Sequence, residues 1–410
     1  MENNFPLNSP TDEEIGLWPD EPLRVQELHV DPLLLWCARK RASDITLQTD
    51  RPAYVEVDGI LHPVMVRSLD SADMTNILNR IYGPDALAKL ASSRDLDLSY
   101  EVRPERNVRF RFRVNITAIL SKGRDSVQIT LRSLPNLPPT LRDLGVEEKV
   151  IANWSPPQGL ILVTGPTGSG KTTLLAAGCR MLIERPEGCG KLLTYEAPIE
   201  YVYDGITGER SLVAQTEIPR HLPTFAAGVR NALRRKPNII LVGEARDRET
   251  VSAAIEAGQT GHLVYSTVHT VGVAATVRRI VSVFEPSERT ERAYALMETL
   301  RMVVTQTLVP KIGGGRIGLR EYLVFDETVR EQLLDLPVEQ WTAAAQKFLL
   351  RYGRTMEQSA SAAFKDGLIN RRIYLLLTKG LSVDSFDDSP FATLPQAISE
   401  DETRALEEDT

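Results

Sequence analysis

The sequence predicts an α/β protein: a small N-terminal α+β domain, a parallel sheet with helices on both faces, and a helical end. Three observations carry this. From about residue 146, strand-like apolar runs (159–164, 191–195, 238–243, 261–268) alternate with helix-like ones (170–184, 224–236, 248–257, 272–283), the texture of βα units feeding a parallel sheet. Before that, stretches such as Ala53-Tyr-Val-Glu-Val57 and Val108-Arg-Phe-Arg-Phe-Arg-Val114 alternate with the period of half-buried strands. Between the two textures, SLPNLPPTLRDLG (133–145) has the three prolines and terminal glycine of a linker.

Taken in order, residues 1–27 are acidic, Pro-containing and poor in apolar period, which predicts a disordered end. Residues 28–133 form the small domain, with a helix over 31–45, a turn at Asp58-Gly59 and a helix over 71–92. Residues 134–145 are the linker and 146–327 the sheet domain, in which Asp247 and Gly258 suit the two ends of a helix. Residues 287–309 and 328–378 read as helices, giving a C-terminal helical region over 328–380. Residues 381–410 are an acidic tail, expected to be disordered.

Charge follows the same divisions. Residues 1–30 carry net −6 and 384–410 net −8, so of the total of −7 the body between them holds +7. A mildly basic body suits nucleotides, acidic lipids or nucleic acid, and charge alone does not choose. No apolar run approaches the ~20 residues of a membrane helix, and the first residues lack the basic start and apolar core of a signal peptide. The expectation is a cytosolic protein whose membrane contact is peripheral or through a partner. Three cysteines without paired spacing (Cys37, Cys179, Cys189) suggest buried thiols rather than a disulfide framework or zinc site.

The strongest chemical signal is Gly165-Pro166-Thr167-Gly168-Ser169-Gly170-Lys171-Thr172, which follows a strand and opens a helix with Thr173. This is the context of a phosphate loop: glycines let backbone N–H groups turn inward on phosphate oxygens, and the helix N-terminus adds positive potential. Lys171 is placed to reach the β- and γ-phosphates of ATP, and Thr172 to offer a hydroxyl to Mg²⁺. Such a loop needs a carboxylate at a neighbouring strand end. Asn238-Ile-Ile-Leu-Val-Gly-Glu244 supplies Glu244, which would act on the metal directly or through its water. A second stretch, Tyr195-Glu-Ala-Pro-Ile-Glu200, ends a strand at Glu196, suited to orient or deprotonate the attacking water. Glu200 is either a metal ligand or a solvated carboxylate.

These motifs, in this order, resemble the traffic ATPases of type II and type IV secretion, type IV pili and conjugation. The phosphate loop GPTGSGKT, the acidic box YEAPIE, the Walker B run IILVGEARD and the histidine box GQTGHLVYSTVHT carry the resemblance, which spans roughly 28–380. ASDITLQTD, VDGIL, RFRFRVNI and the late GRTMEQSASAAFKDGLI add to it. The branch is the PilT-like one, and NALRRKPNIILVGEARDRET and VYSTVHTVGVAATVRRIV are most similar to its type IVB (Dot/Icm) secretion members and their conjugative-plasmid counterparts. The resemblance implies a PAS-like N-terminal domain, a RecA-like ATPase domain, a homohexameric ring, and the nucleotide between the two domains. It implies partners in the inner-membrane secretion or conjugation machinery, with the motor on the cytoplasmic face. The family's acidic box usually reads Glu-Asp-Pro; here Ala197 brings no carboxylate, leaving Glu196, which matches the family's catalytic glutamate, to position water.

The histidine box holds two of the chain's five histidines, His262 and His269. In an extended strand seven residues span about 23 Å and put the two rings on opposite faces, so they do not share a metal ion. His269, at the strand's end, is the expected γ-phosphate sensor; His262, at its start, serves packing, a subunit contact or the nucleotide site. Phosphoryl transfer also calls for cationic charge. The candidates are Arg109, Arg111, Arg113, Arg124 and Arg132 of the N-terminal domain, acting in their own chain or a neighbour's, with Arg230, Arg234 and Arg246 near the acidic motifs. A nucleic-acid-translocating motor of the same class or a pilus retraction motor are the alternatives; no aromatic stacking platform or DNA-binding motif favours direct nucleic-acid binding.

Overall fold

The computed structural model describes residues 11–106 and 108–379; the first ten residues and the acidic tail expected at 381–410 lie outside the described residues. Six antiparallel strands make the first sheet: β1 (Asp44–Gln48), β2 (Tyr54–Val57), β3 (Ile60–Pro63), β4 (Leu96–Glu105), β5 (Val108–Ser121) and β6 (Arg124–Leu134), ordered β3-β2-β1-β6-β5-β4. In β5, Phe112 and Val114 enter the core with Ile129 and Leu131, while Arg109, Arg111 and Arg113 take the opposite face.

Local chemistry moves several expected boundaries. The helix expected over 31–45 runs Glu27–Arg39, because the chain turns at Arg41 (φ +62°) and residues 44–48 join the sheet. The single helix expected over 71–92 is two, Ser71–Ile81 and Ala86–Ala91, since Pro84 lacks an N–H and disfavours helical geometry before it. The disorder expected for 1–27 does not extend to residues 11–27. Ile15, Trp18 and Val25 are buried in the domain core, and the Glu21 carboxylate accepts from the N–H groups of Val66 and Arg67 at 2.8 and 3.0 Å. Three well-placed apolar side chains outweigh an acidic average.

The second sheet holds β7 (Gly159–Thr164), β8 (Gly190–Glu196), β9 (Ser211–Glu217), β10 (Ile239–Val242), β11 (Leu263–Val268), β12 (Leu300–Pro310) and β13 (Arg316–Val324), ordered β13-β12-β7-β11-β10-β8-β9. All pairings are parallel except β12–β13. β7, β10 and β11 are buried along their whole length, as a sheet covered on both faces requires. Alternation sorts their side chains into two cores. Leu160, Leu162, Ile240 and Val264 face helices 225–232, 248–259 and 273–282; Ile161, Val163, Leu241 and Tyr265 face helix 171–183.

The helix expected over 287–309 ends at Thr299, and its second half is β12. Val303, Val304, Thr305, Thr307 and Val309 are β-branched, and pairing with β7 decided what apolar period alone left ambiguous. Gly258 does not end its helix, which continues to Gln259; a Cβ there would sit 3.3 Å from Thr299 Cβ, so the glycine serves close packing. In the C-terminal helical region, helices 327–334 and 341–352 place Leu333, Trp341 and Leu349 in the main core. Helices 356–365 and 371–379 cover a small cluster built on Val309 and Leu319. Among the described residues no helix is long and apolar enough to cross a membrane.

Candidate active site

The chemistry-bearing residues gather at the carboxyl edge of the parallel sheet, the edge at which open α/β sheets bind ligands. β7 delivers the chain to Gly165, which has φ +140°. The Lys171 ammonium is buried and donates to the carbonyls of Gly165 and Pro166, both at 2.9 Å. Burial pushes its pKa down, opposed by the charges of Glu244 and Glu200, so the loop lysine and both carboxylates share one electrostatic neighbourhood. Among the described residues the buried Ser169 Oγ has no hydrogen-bond partner, as fits a loop whose polar groups await phosphate oxygens. Thr172 and Thr173 open helix 171–183, and Thr173 bonds the Tyr201 hydroxyl at 3.1 Å, tying that helix to the segment after the acidic box.

Glu196 closes β8. Its carboxylate is 5% exposed and accepts from Thr194 Oγ1 at 2.6 Å and Gln215 Nε2 at 3.1 Å. Burial raises its pKa to about 7; the two hydrogen bonds and Arg111 resist, while Glu200 reinforces the rise. A carboxyl titrating there is suited to proton transfer at neutral pH. Glu244 follows β10, and its Oε1 lies 3.7 Å from His269 Nε2 at the end of β11. The Walker B turn is held by the histidine-box strand: Ser266 Oγ donates to the Val242 carbonyl at 2.9 Å and Thr267 Oγ1 to that of Gly243 at 2.5 Å. A cleft of about 360 Å³ opens beside these groups, lined among others by Glu244, Arg246, His269 and Arg279.

The N-terminal domain meets this edge through β4 and β5. Arg111, 4% exposed, donates to the carbonyls of Glu200 at 2.5 Å and Ile199 at 2.7 Å, and burial lowers its pKa. Arg113 pairs with Asp97 at 2.6 Å and approaches Glu200 at 3.5 Å; Arg109 pairs with Asp204 at 2.7 Å. Beside them the buried Glu217 accepts from Ser99 Oγ at 2.5 Å and the Ile199 N–H at 3.2 Å.

Not every expected residue arrives. His262 precedes β11 at the opposite edge, with Nδ1 3.1 Å from the Ala257 carbonyl oxygen, so within one chain it does not reach the phosphate loop. Arg124 pairs with Asp50 at 3.3 Å at the far end of the β5–β6 hairpin, roughly 26 Å along the strand from Arg113. Arg132 lies across from Arg113 but pairs with Asp44 at 3.0 Å. Arg230, Arg234 and Arg246 are exposed and form no ion pair among the described residues. The sequence alone does not single out Gln215, which lies on the weakly patterned β9, nor Ser99 and Glu217, whose pairing joins residues far apart in the chain. The short apolar run Leu212-Val213-Ala214, bounded by Gly208 and Pro219, is the available signal.

The model of the type II/IV secretion system protein family matches residues 24–348. The Pseudomonas aeruginosa type IV pilus retraction ATPase PilT is 34% identical over 344 residues, covering 84% of this chain and 96% of that protein. Among solved structures, the Legionella pneumophila ATPase DotB is 47% identical with a TM-score of 0.85, over 89% of this chain and 99% of that one. The pilus retraction motor PilT with bound ADP is 33% identical with a TM-score of 0.74, over 88% and 99%.

Proposed function

The chain belongs to the type II/IV secretion system protein family, and from that premise we propose that it is an ATP-hydrolysing ring motor of a type IVB secretion or conjugative transfer system. The observation that carries the hydrolytic part is Glu196: a buried carboxyl held at a pKa of about 7, at the sheet edge that bears the phosphate loop. Its carboxylate takes the proton of the attacking water, while Thr194 and Gln215 fix its direction. Lys171 leaves its loop carbonyls for the phosphate oxygens, and His269, beside Glu244, senses the γ-phosphate. The Thr172 hydroxyl, with Glu244 directly or through its water, would hold Mg²⁺, which would supply positive charge to those oxygens.

Arg111 and Arg113 are engaged with the acidic-box segment of their own chain, so within one subunit they steady Glu200 and its neighbours. Exposed arginines of an adjoining copy, Arg124, Arg132, Arg230, Arg234 or Arg246, then complete the charge around the transferring phosphoryl group, which makes a homohexameric ring the active form. The 47% identity to the Legionella ATPase favours the type IVB assignment. The motor docks through partners at the cytoplasmic face of the inner membrane, and the cycle of domain motion about residues 134–145 moves them. The 34% identity to a pilus retraction ATPase over nearly its whole length favours pilus retraction as the second reading.

The test is ATP turnover against protein concentration, with Lys171→Ala as blank, together with the same variant in the producing cells. Specific activity that rises with concentration, and loss of effector secretion or plasmid transfer in the variant, are expected. Turnover in the wild type with secretion and transfer intact but twitching lost in the variant assigns the pilus motor instead. Turnover no higher than the blank contradicts the hydrolytic reading.

A further inference from the structure

The carbonyl side of the phosphate loop is held by residues that no motif covers. Gln306, 3% exposed on β12, donates Nε2 to the Ser169 carbonyl at 2.7 Å. Its Oε1 accepts from Arg320 Nε at 2.8 Å. Arg320, 1% exposed on β13, sends Nη1 to the Gly145 carbonyl at 3.0 Å and Nη2 to that of Leu144 at 2.9 Å, with Glu147 3.6 Å away. A continuous line of direct hydrogen bonds therefore runs from the phosphate loop to the last residues of the interdomain linker. Two loop glycines answer to the same strand. A Cβ on Gly165 would lie 2.2 Å from the Gln306 carbonyl oxygen, and one on Gly170 2.9 Å from its Nε2.

We infer that Gln306 and Arg320 are positioning residues that aim the phosphate loop and couple that aim to the interdomain linker. The argument is geometric. In a trans peptide the carbonyl and the following N–H point in opposite directions, and the Ser169–Gly170 peptide is not among the cis bonds. Holding the Ser169 oxygen outward therefore turns the Gly170 N–H to the other side, into the loop's concave face. Arg320 has only donors, so it dictates which end of the Gln306 amide faces it and leaves the NH₂ for Ser169. Displacement of the linker carbonyls moves the guanidinium, then the amide, then the loop peptide.

The inference rests on the nucleotide reading of the loop, but its test is binding rather than turnover. ADP and ATP affinities of the full chain are measured by titration calorimetry, alongside melting without nucleotide. Gln306→Glu keeps a partner for Arg320 while setting a second acceptor against the Ser169 carbonyl. The expected result is a melting temperature near wild type with nucleotide affinity at least tenfold weaker, and KM raised more than kcat is lowered. Gln306→Met, neutral and of similar length, serves where the buried charge disturbs folding, with the same loss expected. Arg320→Lys keeps the charge but not the fork on the linker carbonyls and is expected to weaken binding by a smaller factor. Affinity within twofold of wild type in a folded Gln306 variant overturns the inference, and wild-type affinity in Arg320→Lys overturns its extension to the linker. A wild type that binds ADP yet does not hydrolyse ATP refutes the motor, not this inference, which the binding comparison still judges.

Discussion

The ends of β8 and β9 lie side by side and each carries a buried glutamate, Glu196 and Glu217, which are register partners. Burial is the same; the donors are not. Glu217 receives a hydroxyl and an N–H from Ser99 of the N-terminal domain and the N–H of Ile199. Among the described residues, Glu196 receives two side-chain bonds, from Thr194 and Gln215, and no backbone N–H. Hydrogen bonds to an ionised carboxylate are what offset its desolvation. Glu196 has its pKa raised to about 7 and suits proton transfer; Glu217 joins Ser99 of one domain to Ile199 of the other, as a clasp does. Two neighbouring strand ends thus differ in the donors each attracts.

The strongest way to break this comparison is to exchange the roles. Glu196→Gln should lower kcat by about 10²–10⁴-fold, the usual worth of a general base, with nucleotide affinity retained. Glu217→Gln should leave kcat within roughly tenfold, far short of the loss at Glu196, in the same steady-state assay. Second in size is stability. Glu217→Ala strips the Ile199 N–H and Ser99 of their acceptor and should cost about 1–3 kcal/mol in denaturant melts. Ser99→Ala removes one hydrogen bond and should cost about 1.5 kcal/mol or less.

The smaller effects concern pH. A carboxyl whose folded pKa is raised from 4.5 to about 7 binds its proton more tightly in the fold. Its favourable contribution is complete below about pH 4.5 and is lost as pH rises through 7. Above pH 7, Glu196→Gln should therefore melt higher than wild type, the reverse of its effect on turnover. Thr194→Val removes the closer of the two donors and should move the acid limb of the kcat profile to higher pH.

Much of the candidate site is legible in the sequence because phosphate chemistry forces residues into contiguous runs. Gly165 to Thr172, Glu196, Glu244 and His269 each end or follow a strand whose period was plain, and parallel pairing brings those ends to one edge. What was not legible depends on strands meeting across long separations. β12 was hidden inside an apparent helix, because its apolar run suits either period until β7 lies beside it. With β12 and β13 unread, Gln306 and Arg320 had no reason to be linked to the loop. The arginines of β5 were rightly grouped on one face, yet only the paired geometry shows Arg111 holding backbone carbonyls while Arg124 lies at the other end of the hairpin.

The most direct measurement is the pH dependence of ATP turnover, from pH 5 to 9, for wild type and Glu196→Gln at saturating Mg-ATP. The account predicts a wild-type limb that falls tenfold per unit below a midpoint near 7 and a variant whose residual rate has no such limb. A wild-type rate that stays level down to pH 5, or a variant that keeps the same limb, would contradict the assignment of Glu196 as the base.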